Sequence, residues 1–198
     1  MLRNCSKGLF MLLVLAVSGI FCNTTYAGQT GSYEYSADMV SRTGRETIKA
    51  KLYVSEDKMR TEMAGNIIIT RFDKNLSWVI MPSEKMYMEQ SINRKMLPKT
   101  SRGFEGELER VSLGMENVDG KPAEKFKVTY KEGSARVSVY QWLRDSKFPV
   151  KVEAVDGSWS MEYKNLSVKP QQASLFEVPQ GFQKLSMPFA AGFPGSRR

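Results

Sequence analysis

The side chains best suited to chemistry in this chain are the thioethers of Met86 and Met88, the closely spaced carboxylates Glu105, Glu107 and Glu109, and dispersed serines and lysines. A Met-x-Met pair presents soft sulfur to Cu(I). Yet the 198 residues include no histidine, and the two cysteines, Cys5 and Cys22, lie in an N-terminal segment that has the pattern of an export signal. Nothing is left to complete a copper site, and both thioethers fall on one face of an expected buried strand. The three glutamates crowd one short segment, whereas a glycosidase needs two carboxyls facing each other across the scissile bond; they read as a solvated face. There is no nucleophile elbow, no glycine-rich phosphate loop and no imidazole base, and the many serines and lysines show no spacing that marks a pair. The expectation is a protein that is not an enzyme, with no catalytic residue, no metal ligand and no cofactor.

The elements that must position the remaining side chains begin after an export signal. Arg3 and Lys7 precede an apolar and small stretch from Leu9 to Phe21, and Thr25-Tyr26-Ala27 places small residues for a cut before Gly28. A membrane-spanning helix needs about 20 apolar residues, and this stretch is shorter and ends in Asn23, Thr24 and Thr25. Cys22 would be an acylation site in a lipoprotein, but bulky Phe21 precedes it. Residues 1–27 are therefore expected to be a signal peptide and the protein to be exported to the periplasm. The signal holds two of the 29 Lys and Arg and none of the 21 Asp and Glu, so export leaves an excess of six positive charges. Such an excess suits anionic partners such as lipid headgroups or acidic polysaccharide, and in an exported protein it is no sign of nucleic acid. With no cysteine beyond the signal there is no disulfide, and stability must come from burial.

Burial is written as alternation. Tyr33, Tyr35, Ala37 and Met39, then Ile48, Ala50, Leu52 and Val54, then Met59, Thr61 and Met63 recur every second position, the period of a strand with one buried face. Ile67 to Phe72 is apolar on both parities, Leu76, Trp78 and Ile80 follow, and Met86 and Met88 close this half. After Gly114, Phe126, Val128 and Tyr130 alternate, then Val137 to Leu143, Val150 to Ala154, and Trp159 to Val168. Short turn signals such as Gly65-Asn66, Asp119-Gly120 and Asp156-Gly157 separate the runs. Connections this short predict an antiparallel meander of ten or so strands in one curved sheet or barrel. Between the halves, Phe104, Leu108 and Val111 stand at helical spacing, with Glu105 and Glu107 early, Arg110 late and Gly114 placed to end a helix. A short amphipathic helix within 91–114 is thus expected to lie on the concave face. Residues 186–198 mix Pro, Gly and Phe without period and are expected to form a flexible tail.

Four stretches carry a resemblance: Trp78-Val79-Ile80-Met81-Pro82-Ser83-Glu84-Lys85-Met86-Tyr87-Met88-Glu89; Val118-Asp119-Gly120-Lys121 with Glu124-Lys125-Phe126; Phe148-Pro149-Val150-Lys151; and Leu175-Phe176-Glu177-Val178-Pro179-Gln180-Gly181-Phe182. In this order and spacing they resemble the periplasmic outer-membrane lipoprotein carrier and lipoprotein-sorting (LolA-like) superfamily, most closely a branch found in Gram-negative bacteria. The resemblance runs from about Tyr33 to Leu185 and implies a LolA-like domain over 28–185. It implies an incomplete, strongly curved antiparallel barrel, mainly β, with helical cover over an apolar cavity. In the carriers that cavity receives lipoprotein acyl chains; relatives bind other lipids or act as sensors beside an anti-sigma factor. The carriers begin with a lid helix, whereas strand alternation here starts at Ser32, so that lid element is expected to be either missing or replaced by segment 91–114.

An apolar half-barrel binds acyl chains by burying methylenes, at about 0.8 kcal/mol each. Methionine suits such a lining because its unbranched thioether adapts to variable shapes. The ligand-binding candidates are Met63, Ile69, Trp78, Ile80, Met86, Met88, Leu108, Phe126, Trp142 and Met161. The expected function is a periplasmic lipid or lipoprotein-acyl binder of carrier or chaperone type, with acyl chains as partners and the outer membrane as a place of association. The alternative is an envelope structural or sensor module that uses the same fold to contact another protein.

Overall fold

The computed structural model describes residues 34–92, 104, 106–145 and 147–185. The signal segment, most of 91–103 and the tail 186–198 lie outside the described residues.

The alternating runs form strands β1 (Tyr35–Thr43), β2 (Glu46–Ser55), β3 (Lys58–Met63), β4 (Asn66–Arg71), β5 (Leu76–Met81) and β6 (Met86–Ser91), followed by β7 (Glu107–Val118), β8 (Lys121–Glu132), β9 (Ala135–Arg144), β10 (Phe148–Ala154), β11 (Trp159–Val168) and the two-residue β12 (Gln183–Lys184). All twelve lie in one open sheet, in the order β12-β6-β5-β4-β3-β2-β1-β11-β10-β9-β8-β7. Two meanders, β1–β6 and β7–β11, are thus sewn together where the first strand of one meets the last strand of the other. Every pairing is antiparallel except β12 on β6. The tight connections require left-handed backbone: Asp119 and Gly120, at φ 51° and 69°, make the two-residue turn of the β7–β8 hairpin.

The sheet curls without closing into a barrel. Tyr35 on β1 and Phe148 on β10 are separated by β11, yet their rings meet edge-to-face at 4.9 Å. Around them Ala37, Met39, Ala50, Leu52, Met161 and Tyr163 form the main core, and Val128, Val139 and Val152 continue it under β8–β10.

The helix expected within 91–114 is not formed across its C-terminal half, because Glu107–Val118 is strand β7. Pairing with β8 along a twelve-residue strand supplies a ladder that a short amphipathic helix would have to forgo. The helical spacing has a local cause. Between Glu107 and Glu109, and again between Ser112 and Met115, β7 carries one residue more than β8, and each extra residue breaks the period of two. The apolar stripe stays uncovered, with Leu108, Val111, Leu113 and Met115 all exposed. Among the described residues, the helical cover is the 3-10 turn Ala173–Phe176 near the C-terminus, packed on β3 and β4.

Candidate functional site

Residues opposite one another in adjacent strands share a face of a sheet, so the register divides the candidates. One rung runs Leu52, Thr61, Ile68, Val79, Met88, and another Phe126, Gln141, Val152, Met161. These belong to one face, the methionine face, together with Met63, Met81 and Met86. The opposite face carries the rungs Glu62, Ile67, Ile80, Tyr87 and Arg60, Ile69, Trp78, Glu89. It also carries Lys125, Lys151 and Glu162.

Of the ten candidates, Met63, Met86, Met88, Phe126 and Met161 thus stand on the methionine face, and Ile69, Trp78 and Ile80 on the other, while Trp142, beside the β9–β10 bulge, packs in the same buried cluster as Met161. Leu108 sits at an irregularity of the edge strand β7, 46% exposed. The ten do not line a single wall.

Ile69, Trp78 and Ile80 are buried with Phe176, which is only 1% exposed, and with Leu175, Val178 and Phe182 around them. Residues 173–184 therefore form a strap across β3–β6. Polar contacts fix it at three places. Arg60 donates to the Leu175 carbonyl at 3.1 Å and pairs with Glu62 at 2.7 Å. Buried Arg71 donates to the Phe176 carbonyl at 3.3 Å, pairs with Glu177, and is held in a fork by Asp73 at 2.8 and 2.6 Å. That fork holds the Asp73 carboxyl at about 2. Glu89 accepts from Lys184 on β12 at 2.7 Å and from the Trp78 indole at 2.9 Å, and these donors, Lys184 foremost, lower its pKa. The motif from Leu175 to Phe182 carried the resemblance, but alternation gave no sign that it would bury its aromatics on the sheet.

Trp142 is held in a comparable way. Its indole donates to Glu116 at 2.8 Å, while Lys151 and Lys125 stand 4.3 and 4.9 Å from its ring. The hydrogen bond from Lys125, then that from Trp142, lowers the Glu116 pKa. At 2% exposure the ring is packing and has little surface left for a ligand.

The methionine face differs between its two ends. Under β9–β11 it is closed, with Val139, Val152 and Met161 buried. Over β4–β6, Ile68, Val79, Met81, Met86 and Met88 are all only partly buried, on the face away from the strap. Five adjoining apolar side chains, three of them thioethers, can adapt to a flexible apolar ligand without any specific polar contact. Among the described residues no three of His, Cys, Asp and Glu gather as a metal site.

The fold is similar to that of MucB: over 75% of this chain and 58% of the solved structure the TM-score is 0.50 at 12% identity. MucB in complex with MucA(peri) gives 0.50 at 14% identity, over 78% and 57%. The chain spans less than three fifths of the length of these solved proteins. A lipoprotein-sorting protein domain from Vibrio parahaemolyticus aligns over 75% of this chain and 91% of its own at 12% identity, with a TM-score of 0.33. No curated protein matches the sequence. The model of one family does match, over residues 28–147, and the chain belongs to that family, described as Domain of unknown function (DUF4412).

Proposed function

We propose that this protein is an exported, non-enzymatic binder that buries the acyl chain of a lipid or lipoprotein against the methionine face of β4–β6, as a carrier or chaperone in the periplasm. The observation that carries it is the partly buried set Ile68, Val79, Met81, Met86 and Met88, which lies on the face the strap leaves free. A sixteen-carbon chain offers on the order of 10 kcal/mol of burial before the costs of ordering and association. The fold likeness to MucB and the superfamily resemblance agree with an envelope address.

Native mass spectrometry of protein recovered from a bacterial periplasm tests it, together with uptake of a fluorescent fatty acid. Co-purified lipid and saturable uptake are expected. Repeated lipid-free preparations that also take up no fatty acid would reject acyl binding.

A second function has its own support. Strand β7 ends the sheet and exposes Leu113 and Met115, the latter 65% accessible, and exposed apolar side chains of this kind offer a surface on which a partner protein can pack. The MucB structure solved with MucA(peri) is a protein complex. An envelope sensor or structural module would use this edge, and a pull-down that survives substitution of Met88 but not of Met115 would favour it.

A further inference from the structure

The strap covers only β3–β6 of its face. Beside it, across β11, β1, β2 and β3, the same face forms an open groove of about 790 Å³, within the range of about 300–1,000 Å³ typical of small-ligand sites. Strand alternation determines what points into it. Lys164 on β11, Arg42 on β1, Lys49 and Lys51 on β2 and Arg60 on β3 line the groove, against only two acids, Asp38 and Glu62. The register places Lys164, Asp38, Lys51 and Glu62 in one rung.

The acids are already engaged. Glu62 accepts from Arg60 at 2.7 Å, and Asp38 accepts from the Asn165 side chain at 2.6 Å. Among the described residues, Arg42 and Lys49 have no ion pair, while Lys51 is hydrogen-bonded to Tyr53 and lies in the field of Asp38 and Glu62, its cross-strand neighbours, without a salt bridge to either. Elsewhere on this face Lys151 stands by Glu153 at 2.6 Å and Lys125 by Glu116 at 2.9 Å, while Lys127 and Lys131, on the same parity of β8, have no ion pair among the described residues. What sets the groove apart is that its cations stand around a concave surface, where Val40, Ile67 and Pro82 supply apolar contact at the same place.

We propose that this groove is a second ligand site, on the sheet face opposite the acyl surface, that takes a phosphate-bearing anion through Arg42, Lys49 and Lys51. A concave site with two or more donors converging on one anion discriminates by charge rather than by shape, and its affinity falls as salt rises. The phosphate can belong to a lipid headgroup or be free in solution.

Calorimetric titration at low ionic strength separates these sources and tests the site. The probes are dihexanoyl phosphatidylglycerol below its micelle concentration, dihexanoyl phosphatidylcholine and inorganic pyrophosphate. Saturable binding of phosphatidylglycerol or pyrophosphate, but not of phosphatidylcholine, is expected. The pair Lys49→Gln with Lys51→Gln should weaken it about tenfold or more. The charge-matched pair Lys121→Gln with Lys131→Gln, two exposed lysines on β8, should leave it unchanged. Both pairs should keep fatty-acid uptake, which separates this site from the acyl surface. Displacement of phosphatidylglycerol by pyrophosphate would assign the site to phosphate itself, and binding of phosphatidylglycerol alone would assign it to a headgroup. No saturable binding of either anion, equal binding of phosphatidylcholine, or equal loss in the two variant pairs would overturn the proposal.

Discussion

Arg71 and Phe176, more than a hundred residues apart, are joined at 3.3 Å by a bond from the buried guanidinium to the Phe176 carbonyl, while the Phe176 ring closes over Ile69, Trp78 and Ile80. The polar and apolar halves of one residue are thus both spent on holding the C-terminal strap to β4 and β5. Removing the ring leaves a void in a cluster with no other buried aromatic but Trp78. Phe176→Ala should cost about 3–5 kcal/mol of unfolding free energy, read as a lower urea midpoint at unchanged slope. A loss below about 1 kcal/mol would mean that the strap is not part of the cooperative unit.

Acid should loosen the strap before it unfolds the sheet. The Asp73 carboxyl is held at about 2 against an ordinary 3.8, chiefly by the hydrogen bond from Arg71, and that of Glu89 is lowered from 4.5, chiefly by Lys184. A depressed carboxylate stabilises the fold above its unfolded pKa, and the contribution is lost as pH falls through the folded value. Both carboxylates therefore contribute fully at neutral pH, and the loss runs from about pH 4.5 down to about 2. Hydrogen exchange on Phe176–Lys184 should accelerate in that window relative to β9 and β10. Asp73→Asn with Glu89→Gln should flatten the dependence, and equal acceleration of strap and core would contradict this account.

The strands were legible because side-chain alternation is a local record of burial: Tyr35, Ala37 and Met39, or Trp159, Met161 and Tyr163, read the same in sequence and in the sheet. Two features were not. At β7, the extra residues near Leu108 and Leu113 turn a period of two into gaps of three and four, which is what a helix would show. At the candidate site, each strand could be assigned a parity but not a common one. Which parity of β5 faces the same way as Met88 depends on the β5–β6 register, and that is set by where the turn after Met81 closes. Trp78 and Ile80 were consequently grouped with methionines that lie behind them.

The same register separates two substitutions one residue apart. Ile80 is fully buried under Phe176, and Val79 stands between Ile68 and Met88 on the other face. Ile80→Trp overpacks the strap cluster and should destabilise by about 1–3 kcal/mol while uptake of a fluorescent fatty acid by the folded fraction persists. Val79→Trp fills the partly buried methionine face and should abolish uptake with a smaller loss of stability. Reversal of the two phenotypes would place the acyl surface under the strap.

Edge strand β7 is irregular where its apolar side chains are exposed, which favours contact through those side chains over continuous strand addition. Gly114 adopts φ 94° within the irregularity between Ser112 and Met115, a conformation that side chains other than hydrogen rarely tolerate, although no atom lies within 4 Å of where a Cβ would stand. The resulting bulge interrupts the row of donors and acceptors on the outer side of the strand. Gly114→Val should therefore cost on the order of 1–3 kcal/mol through backbone strain alone. Deleting Gly114 should have the opposite character: the ladder with β8 becomes regular, and Leu113 and Met115 come to lie on a flatter exposed edge. Sedimentation velocity should then show concentration-dependent self-association of the deletion variant but not of Gly114→Val. A deletion variant that remains monomeric at the highest soluble concentration would show that the exposed apolar residues, and not the bulge, are tolerated for another reason.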